Sequence, residues 1–127
     1  MAKKQVAEGQ QKGVLINVSS VAGIEGQKGQ VAYSASKGAV IGLTLPMARD
    51  LGRHGIRVVT IAPGLFDTPL MQAASDKVKQ GLIRSIAYPK RFGAAPEFAA
   101  MVTHCIENAY INGETIRLDA GIRFANL

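Results

Sequence analysis

The sequence predicts an α/β fold with a mostly parallel sheet. Two short runs rich in apolar and β-branched residues, GVLINVSS at residues 13–20 and IRVVTIAPG at residues 56–64, are typical of buried strands. A helical stretch from about Tyr33 to Leu51 lies between them. Strand, helix and strand in this order favour a right-handed crossover between parallel strands.

The first strand ends in two serines, and we expect it to be buried on both faces, with its carboxyl end open to a polar site. The helix that follows it ends near Gly52, because glycine commonly stands at a helix stop. Pro46 lies inside this helix and removes one backbone hydrogen bond, so we expect a kink there.

The residues after the second strand predict further helices and one more strand. Residues 69–91 form a mixed segment that predicts one or two short helices over a site. Residues 95–109 carry a proline at a plausible helix start and apolar spacing suited to one buried face. Asn112 and Gly113 then predict a turn, and the alternation of apolar and polar residues after it predicts a third, less enclosed strand.

Composition limits the classes of function. The 15 basic and 9 acidic side chains give a net charge of +6, but they are scattered, which favours a solvated surface over a nucleic-acid site. Cys105 is the only cysteine, so no internal disulfide can form, and we expect it on the buried side of a helix. His54 and His104 have no companions at metal-ligand spacing, so we expect no metal site.

Two further expectations concern membrane-spanning helices and the pairing of the first strand. The sequence has no apolar run of about 18 residues, so we expect no membrane-spanning helix. The strand at residues 13–20 has no upstream sequence that could pair with it, because the polar segment before it is typical of a helix end and a loop. We therefore expect one edge of this strand to be open.

Tyr33 and Lys37 form the strongest chemical signal in the sequence. Residues four apart lie on the same face of a helix, so the phenol and the ammonium group share one patch of space. A tyrosine has an ordinary pKa of about 10, and a neighbouring cation favours its charged form, as a general base at neutral pH requires. Ser20 ends a predicted strand 13 residues before Tyr33, where its hydroxyl could polarise a substrate oxygen or bond the local backbone.

Ser20, the Tyr33 and Lys37 pair, and the run PGLFDTP at residues 63–69 together resemble the short-chain dehydrogenase/reductase family in order and spacing. The resemblance spans about residues 13–123. It implies that Tyr33 is the catalytic acid/base and also contacts the cofactor, and that Ser20 holds the substrate oxygen. It also implies that Lys37 binds the nicotinamide ribose and lowers the pKa of Tyr33.

The same resemblance implies a cofactor-binding run after the second strand. Pro63, Gly64, Leu65 and Phe66 would lie along the nicotinamide carboxamide through their backbone groups, with Thr68 adding its hydroxyl.

Two of the implied contacts have plain structural alternatives. Thr68 could instead cap a helix that begins at Pro69, and Gln27, a candidate substrate contact, could be a solvated loop residue.

The sequence departs from the family pattern in its dinucleotide site. The family binds the pyrophosphate with a glycine-rich turn after its first strand, whereas Gly23, Gly26 and Gly29 lie between the strand-end serines and Tyr33. The residue that reads the adenosine ribose and the family's helix asparagine are also absent. We therefore interpret residues 1–127 as a partial domain, the carboxyl-terminal half of a Rossmann-type doubly wound parallel sheet.

The resemblance implies an NAD-dependent oxidoreductase that takes hydride from a secondary alcohol, either a 3-hydroxyacyl-CoA or a hydroxysteroid. It further implies a homo-oligomer in mitochondria or the cytoplasm. From the composition we expect neither a membrane nor nucleic acid as partner, and because the dinucleotide turn is absent we expect the isolated chain to be inactive. The alternative is a truncated, non-catalytic family member that serves as a partner or scaffold and could bind nucleic acid through its positive charge.

Overall fold

The computed structural model describes residues 9–124, which form a three-stranded parallel sheet with helices packed against it. The strands are β1 (Gly13–Val18), β2 (Ile56–Pro63) and β3 (Thr115–Leu118), in the spatial order β1-β2-β3. The helices are α1 (Ala22–Glu25), α2 (Val31–Gly52), α3 (Pro69–Gln72), α4 (Asp76–Arg84) and α5 (Ala95–Glu107). The predicted α/β class and the parallel sheet are confirmed.

Burial distinguishes β2 from the two outer strands. Seven of the eight residues of β2 are buried, because it has a neighbour on each side. The expectation that the strand at residues 13–20 is buried on both faces was wrong. The strand ends at Val18 and its side chains are half-buried or exposed, since β1 pairs only with β2 and its other edge is open among the described residues.

Helix α2 packs on one face of the sheet. It extends slightly beyond the predicted Tyr33–Leu51 at both ends and remains helical through Pro46. Its buried Thr44 lies 2.5 Å from Thr60 of β2, measured between their hydroxyl oxygens, so one hydroxyl donates to the other. This buried bond fixes the helix against the central strand, because neither hydroxyl could be left unpaired there without cost.

Helix α5 contributes to the apolar core around β2. Cys105 is fully buried beside Val59 and Ile61, as the sequence predicted, and burial raises the pKa of its thiol. The segment at residues 69–91 contains two helices, α3 and α4, in agreement with the sequence.

The chain bends at Gly113, where a turn before β3 was predicted, and Asn112 and Gly113 bond to the backbone of β2. The side-chain oxygen of Asn112 accepts a hydrogen bond from the N–H of Val58 at 2.8 Å, and the N–H of Gly113 donates to the carbonyl of Val58 at 2.8 Å. Gly113 has φ of +71°, a conformation that favours glycine.

Arg57 is a buried cation that caps the carboxyl end of α5. It is only 6% exposed, and its guanidinium donates to the carbonyls of Cys105, Ile106 and Ile111, each at 2.8 Å. The last carbonyls of a helix lack partners within the helix and carry partial negative charge. Arg57 satisfies two of them and thereby joins α5 to the amino end of β2.

We expect Arg57→Ala to lower the free energy of unfolding by about 3 kcal/mol, since it leaves buried carbonyls without donors. The matched control is Arg53→Ala, an exposed neighbour whose loss should change stability by less than about 0.5 kcal/mol. Urea unfolding of both variants measures the difference. Equal stability of the two variants would contradict the capping role.

The amino end of α5 is held by an ion pair. The guanidinium of Arg91 donates to both carboxylate oxygens of Glu97, at 2.7 and 2.9 Å, and the N–H of Ala94 donates to Glu97 at 2.7 Å. The hydrogen bonds from Arg91 and then from Ala94 lower the pKa of Glu97 to about 2. The charged carboxylate is therefore bound more tightly in the folded chain than in the unfolded chain.

This contact predicts a pH dependence of stability. Because the folded pKa of Glu97 lies below its unfolded value of about 4.3, the stabilisation is present above that value and is lost as pH falls towards 2. Glu97→Gln should therefore flatten the stability profile over this range, whereas Glu114→Gln, an exposed loop substitution, should not. Urea midpoints recorded across the range measure the effect, and parallel profiles for wild type and Glu97→Gln would refute it.

Candidate active site

The segments that follow the three strands meet at one edge of the sheet. Beyond the end of β1, the N–H of Ser19 donates to the carbonyl of Ile61 at 2.8 Å, and the N–H of Val21 donates to that of Pro63 at 3.1 Å. Beyond the end of β2, the N–H of Gly64 donates to the carbonyl of Leu118 at 2.9 Å. The carboxyl ends of parallel strands are the usual place for a ligand site in such a sheet.

Tyr33 and Lys37 lie together in the first turns of α2. The Lys37 Nζ is 5.7 Å from the centroid of the Tyr33 ring, within the range of a cation–π contact, and 3.3 Å from the carbonyl oxygen of Val18. Tyr33 is 45% exposed, and its hydroxyl has no hydrogen-bond partner among residues 9–124. The structure therefore brings the predicted pair together beside the end of β1, with the phenol accessible.

Ser20 lies between the end of β1 and α1. Its Oγ accepts a hydrogen bond from the N–H of Ala22 at 3.1 Å, which is the local backbone contact that the sequence left open. A hydroxyl that accepts one bond still has its own proton to donate. Ser20 can therefore serve both the turn and a bound oxygen atom.

Two glycines permit close packing around the residues that follow β2. A methyl group on Gly64 would lie 2.7 Å from the Cβ of Asp119, and one on Gly93 would lie 2.6 Å from the ring of Phe66. The Phe66 ring also meets Phe98 edge to face, with centroids 5.8 Å apart. Glycine at positions 64 and 93 thus permits the loop to lie flat against the end of the sheet.

The backbone of Phe66 faces away from Gly93. The N–H of Gly93 donates to the carbonyl of Leu65, and the N–H of Asp67 donates to the carbonyl of Gly93, each at 2.9 Å. Phe66 and Gly93 form a parallel bridge, in which Leu65 and Asp67, on either side of Phe66, make the bonds to Gly93. The N–H and C=O of Phe66 itself therefore point to the opposite side. Within the part of the chain that the structure describes, these groups have no backbone partner and can meet a ligand.

A surface cavity of about 410 Å³ lies against the same run. It is lined by the residues from Pro63 to Thr68, together with Met71, Ala95 and Phe98. Thr68 also caps α3, because its Oγ1 accepts a hydrogen bond from the N–H of Met71 at 3.3 Å, which is the alternative role that the sequence suggested. All the predicted cofactor-binding residues after β2 therefore border one cavity.

An ionic network ties α1 to the end of β3. Glu25 pairs with Arg117 at 2.6 Å and with Arg123 at 3.5 Å, and Asp119 pairs with the same two arginines at 2.7 and 3.4 Å. Burial raises the pKa of Glu25, but the N–H of Phe124 and the charge of Arg117 lower it more, so the pKa lies below its ordinary value. The network fixes the short helix that follows Ser20.

Sequence reasoning missed the residues that support the site. Ser19, Gly23 and the Glu25 network carry no motif of their own, and only the contacts across the fold reveal them. Gln27 lies in the turn between α1 and α2, half-buried, and its candidate role remains a prediction. Among residues 9–124 there is no group of metal-ligating side chains and no helix long and apolar enough to cross a membrane.

Comparison with known proteins links this geometry to one family. A sequence profile described as short chain dehydrogenase matches residues 1–79. The chain is 54% identical over 123 residues to 3-hydroxyacyl-CoA dehydrogenase type-2 of Bos taurus, a match that covers 97% of this chain and 47% of the relative. It is also 41% identical over 118 residues to ipsdienol dehydrogenase of Ips pini, covering 89% of this chain and 45% of the relative.

A solved structure agrees with these matches. The crystal structure of 3-hydroxyacyl-CoA dehydrogenase type-2 from Mycobacterium avium superimposes with a TM-score of 0.90 at 45% identity, over 98% of this chain and 48% of that one. The chain thus spans about half the length of the relatives it matches.

Proposed function

Because the chain belongs to the short chain dehydrogenase family, we propose that it carries the acid/base half of an NAD-dependent dehydrogenase that oxidises a secondary alcohol. The substrate class we propose is a 3-hydroxyacyl-CoA or a hydroxysteroid. Support for the first comes from the high identity to proteins named 3-hydroxyacyl-CoA dehydrogenase type-2.

One observation carries the proposal: Tyr33 and Lys37 are adjacent on α2, at the edge of the sheet where Ser20 and the run from Pro63 to Thr68 also lie. A proton acceptor, a cation and a hydroxyl donor are the groups that removal of a proton from an alcohol needs.

Each side chain has a distinct part in the reaction. The deprotonated phenol of Tyr33 takes the hydroxyl proton of the alcohol as its carbon loses hydride and becomes a carbonyl carbon. The hydroxyl of Ser20 donates to the reacting oxygen and holds it in place. Lys37 places a positive charge beside the phenol, because its ammonium nitrogen lies 5.7 Å from the ring centroid.

The described residues fit one part of NAD. The free N–H and C=O of Phe66 suit a carboxamide, and Lys37, which uses one of its three donors on Val18, has two left for ribose hydroxyls. Thr68 likewise has a free hydroxyl proton, since its Oγ1 only accepts a bond in the α3 cap. When bound, NAD supplies the hydride acceptor.

We also propose that a second half of the domain is needed for function. The open edge of β1 favours pairing with a further strand, and exposed apolar residues on α2, such as Val31 and Leu45, favour a homo-oligomer of the complete enzyme. The family resemblance further supports a location in mitochondria or the cytoplasm.

The proposal is tested with a joined protein, in which the amino-terminal half of the bovine relative precedes residues 1–127. Circular dichroism and size-exclusion chromatography first establish that it is folded. NADH formation from 3-hydroxybutyryl-CoA and from a hydroxysteroid then measures activity. A folded joined protein that oxidises neither alcohol would refute the proposed function.

Tyr33→Phe should reduce the turnover of the joined protein by more than about 10²-fold, because it removes the proton acceptor. The affinity for NAD should change little, since one oxygen atom is lost and the ring remains. The matched control is Tyr110→Phe, which removes a phenol from a residue that is 99% exposed and should leave turnover unchanged. If Tyr33→Phe kept most of the wild-type rate, the acid/base assignment would be wrong.

The 127-residue chain alone should bind NAD poorly and should aggregate or depend on a partner. Its open β1 edge invites pairing with other chains, and the sequence has no glycine-rich turn at a helix start to bind the pyrophosphate. Calorimetric titration with NAD, with a sizing measurement, compares it with the joined protein. A soluble monomer that binds NAD as tightly as the joined protein would contradict this prediction.

A further inference from the structure

Three contacts hold Lys37 against the segment that surrounds Ser20. They come from Val18, Ser19 and Gly23, which lie on either side of Ser20 in the sequence. We infer that Ser19 and Gly23 are positioning residues, which set the location of Lys37 relative to Ser20. The inference rests on the proposed function, in which Lys37 and Ser20 act on the same reaction.

Ser19 links the main chain of α2 to the central strand. Its Oγ donates to the carbonyl oxygen of Lys37 at 2.7 Å, while its own N–H donates to the carbonyl of Ile61 at 2.8 Å. The residue is only 2% exposed, so water cannot replace the side-chain bond without rearrangement. Ser19 therefore connects β2 to the turn of α2 that carries Lys37.

Gly23 brings the backbone of α1 into direct contact with α2. A methyl group at this position would lie 2.7 Å from the carbonyl carbon of Lys37 and 2.9 Å from the nitrogen of Gly38. Both atoms belong to the backbone and cannot move aside as a flexible side chain can. Gly23 does not have positive φ, so close approach is what requires glycine here.

The head group of Lys37 is held by the same segment. Its Nζ donates to the carbonyl oxygen of Val18 at 3.3 Å, immediately before Ser19. Both ends of Lys37 are therefore tied to residues adjacent to Ser20. A displacement of about 1 Å in a reacting group can lower the rate by about 10²-fold. A substitution at Ser19 or Gly23 that moves Lys37 should therefore lower kcat.

Kinetics of the joined protein test this inference with three variants. Ser19→Ala removes the hydrogen bond to Lys37 and Gly23→Ala forces α1 away from α2, so each should lower kcat by about tenfold or more with a smaller change in KM. The control is Gly52→Ala, which adds the same methyl group to open space at the end of α2 and should leave kcat unchanged. A kcat within twofold of wild type for both Ser19→Ala and Gly23→Ala would overturn the inference.

A double-mutant cycle separates positioning of Lys37 from general destabilisation. If Ser19 acts through Lys37, Ser19→Ala should have little further effect on kcat in a Lys37→Ala background. An equal fold-loss in both backgrounds would show that Ser19 has only a structural role and would overturn the inference.

Amide hydrogen exchange provides a readout that does not need activity. Ser19→Ala should speed exchange about tenfold at Ile41, the residue whose N–H faces the Lys37 carbonyl in the helix, and leave residues 48–51 unchanged. If wild type is inactive but this local effect is seen, the proposed function fails and the contact to Lys37 stands. If wild type is active and exchange at Ile41 is unchanged, the function stands and the inference fails.

Discussion

Parallel pairing of β1 and β3 with the buried strand β2 brings together the segments that border the candidate site. The hydrogen bonds of the sheet continue beyond its ends, from Ser19 to Ile61 and from Gly64 to Leu118. These backbone bonds bring the segment that contains Ser20 beside the run that follows Pro63. Helix α2 is fixed to the same strand by the buried hydroxyl pair of Thr44 and Thr60, so the Tyr33 turn has a defined position over the sheet.

Charge and close packing complete this arrangement at the two ends of the sheet. At the amino end of β2, Arg57 neutralises the carboxyl end of α5. At the opposite edge, Glu25 and Asp119 share Arg117 and Arg123, which joins α1 to the residues after β3. The residues of the candidate site are thus held by contacts of low conformational freedom, as the proposed chemistry requires.

Local sequence patterns predicted much of this architecture. The features that they did not predict depend on contacts between residues that are distant in the sequence. The order of strands and helices followed from apolar runs and turn residues, and the Tyr33 and Lys37 pair followed from helical spacing. The open edge of β1 was expected, but its burial was predicted wrongly, because an apolar run shows that a strand can be buried and not how much of the fold covers its faces. Ser19 was indistinguishable from any serine at a strand end, since its partner lies 18 residues away in the sequence.

The proposed transfer of hydride from the alcohol to NAD, with Tyr33 as the proton acceptor, can be followed with an isotopic label. The joined protein would be given 3-hydroxybutyryl-CoA with deuterium at the carbon that bears the hydroxyl. We expect the deuterium to appear on the nicotinamide ring of NADH, turnover to slow with the labelled substrate, and Tyr33→Phe to abolish the transfer. Oxidation of the alcohol with release of the deuterium to water, or labelled NADH formed equally well by Tyr33→Phe, would contradict it.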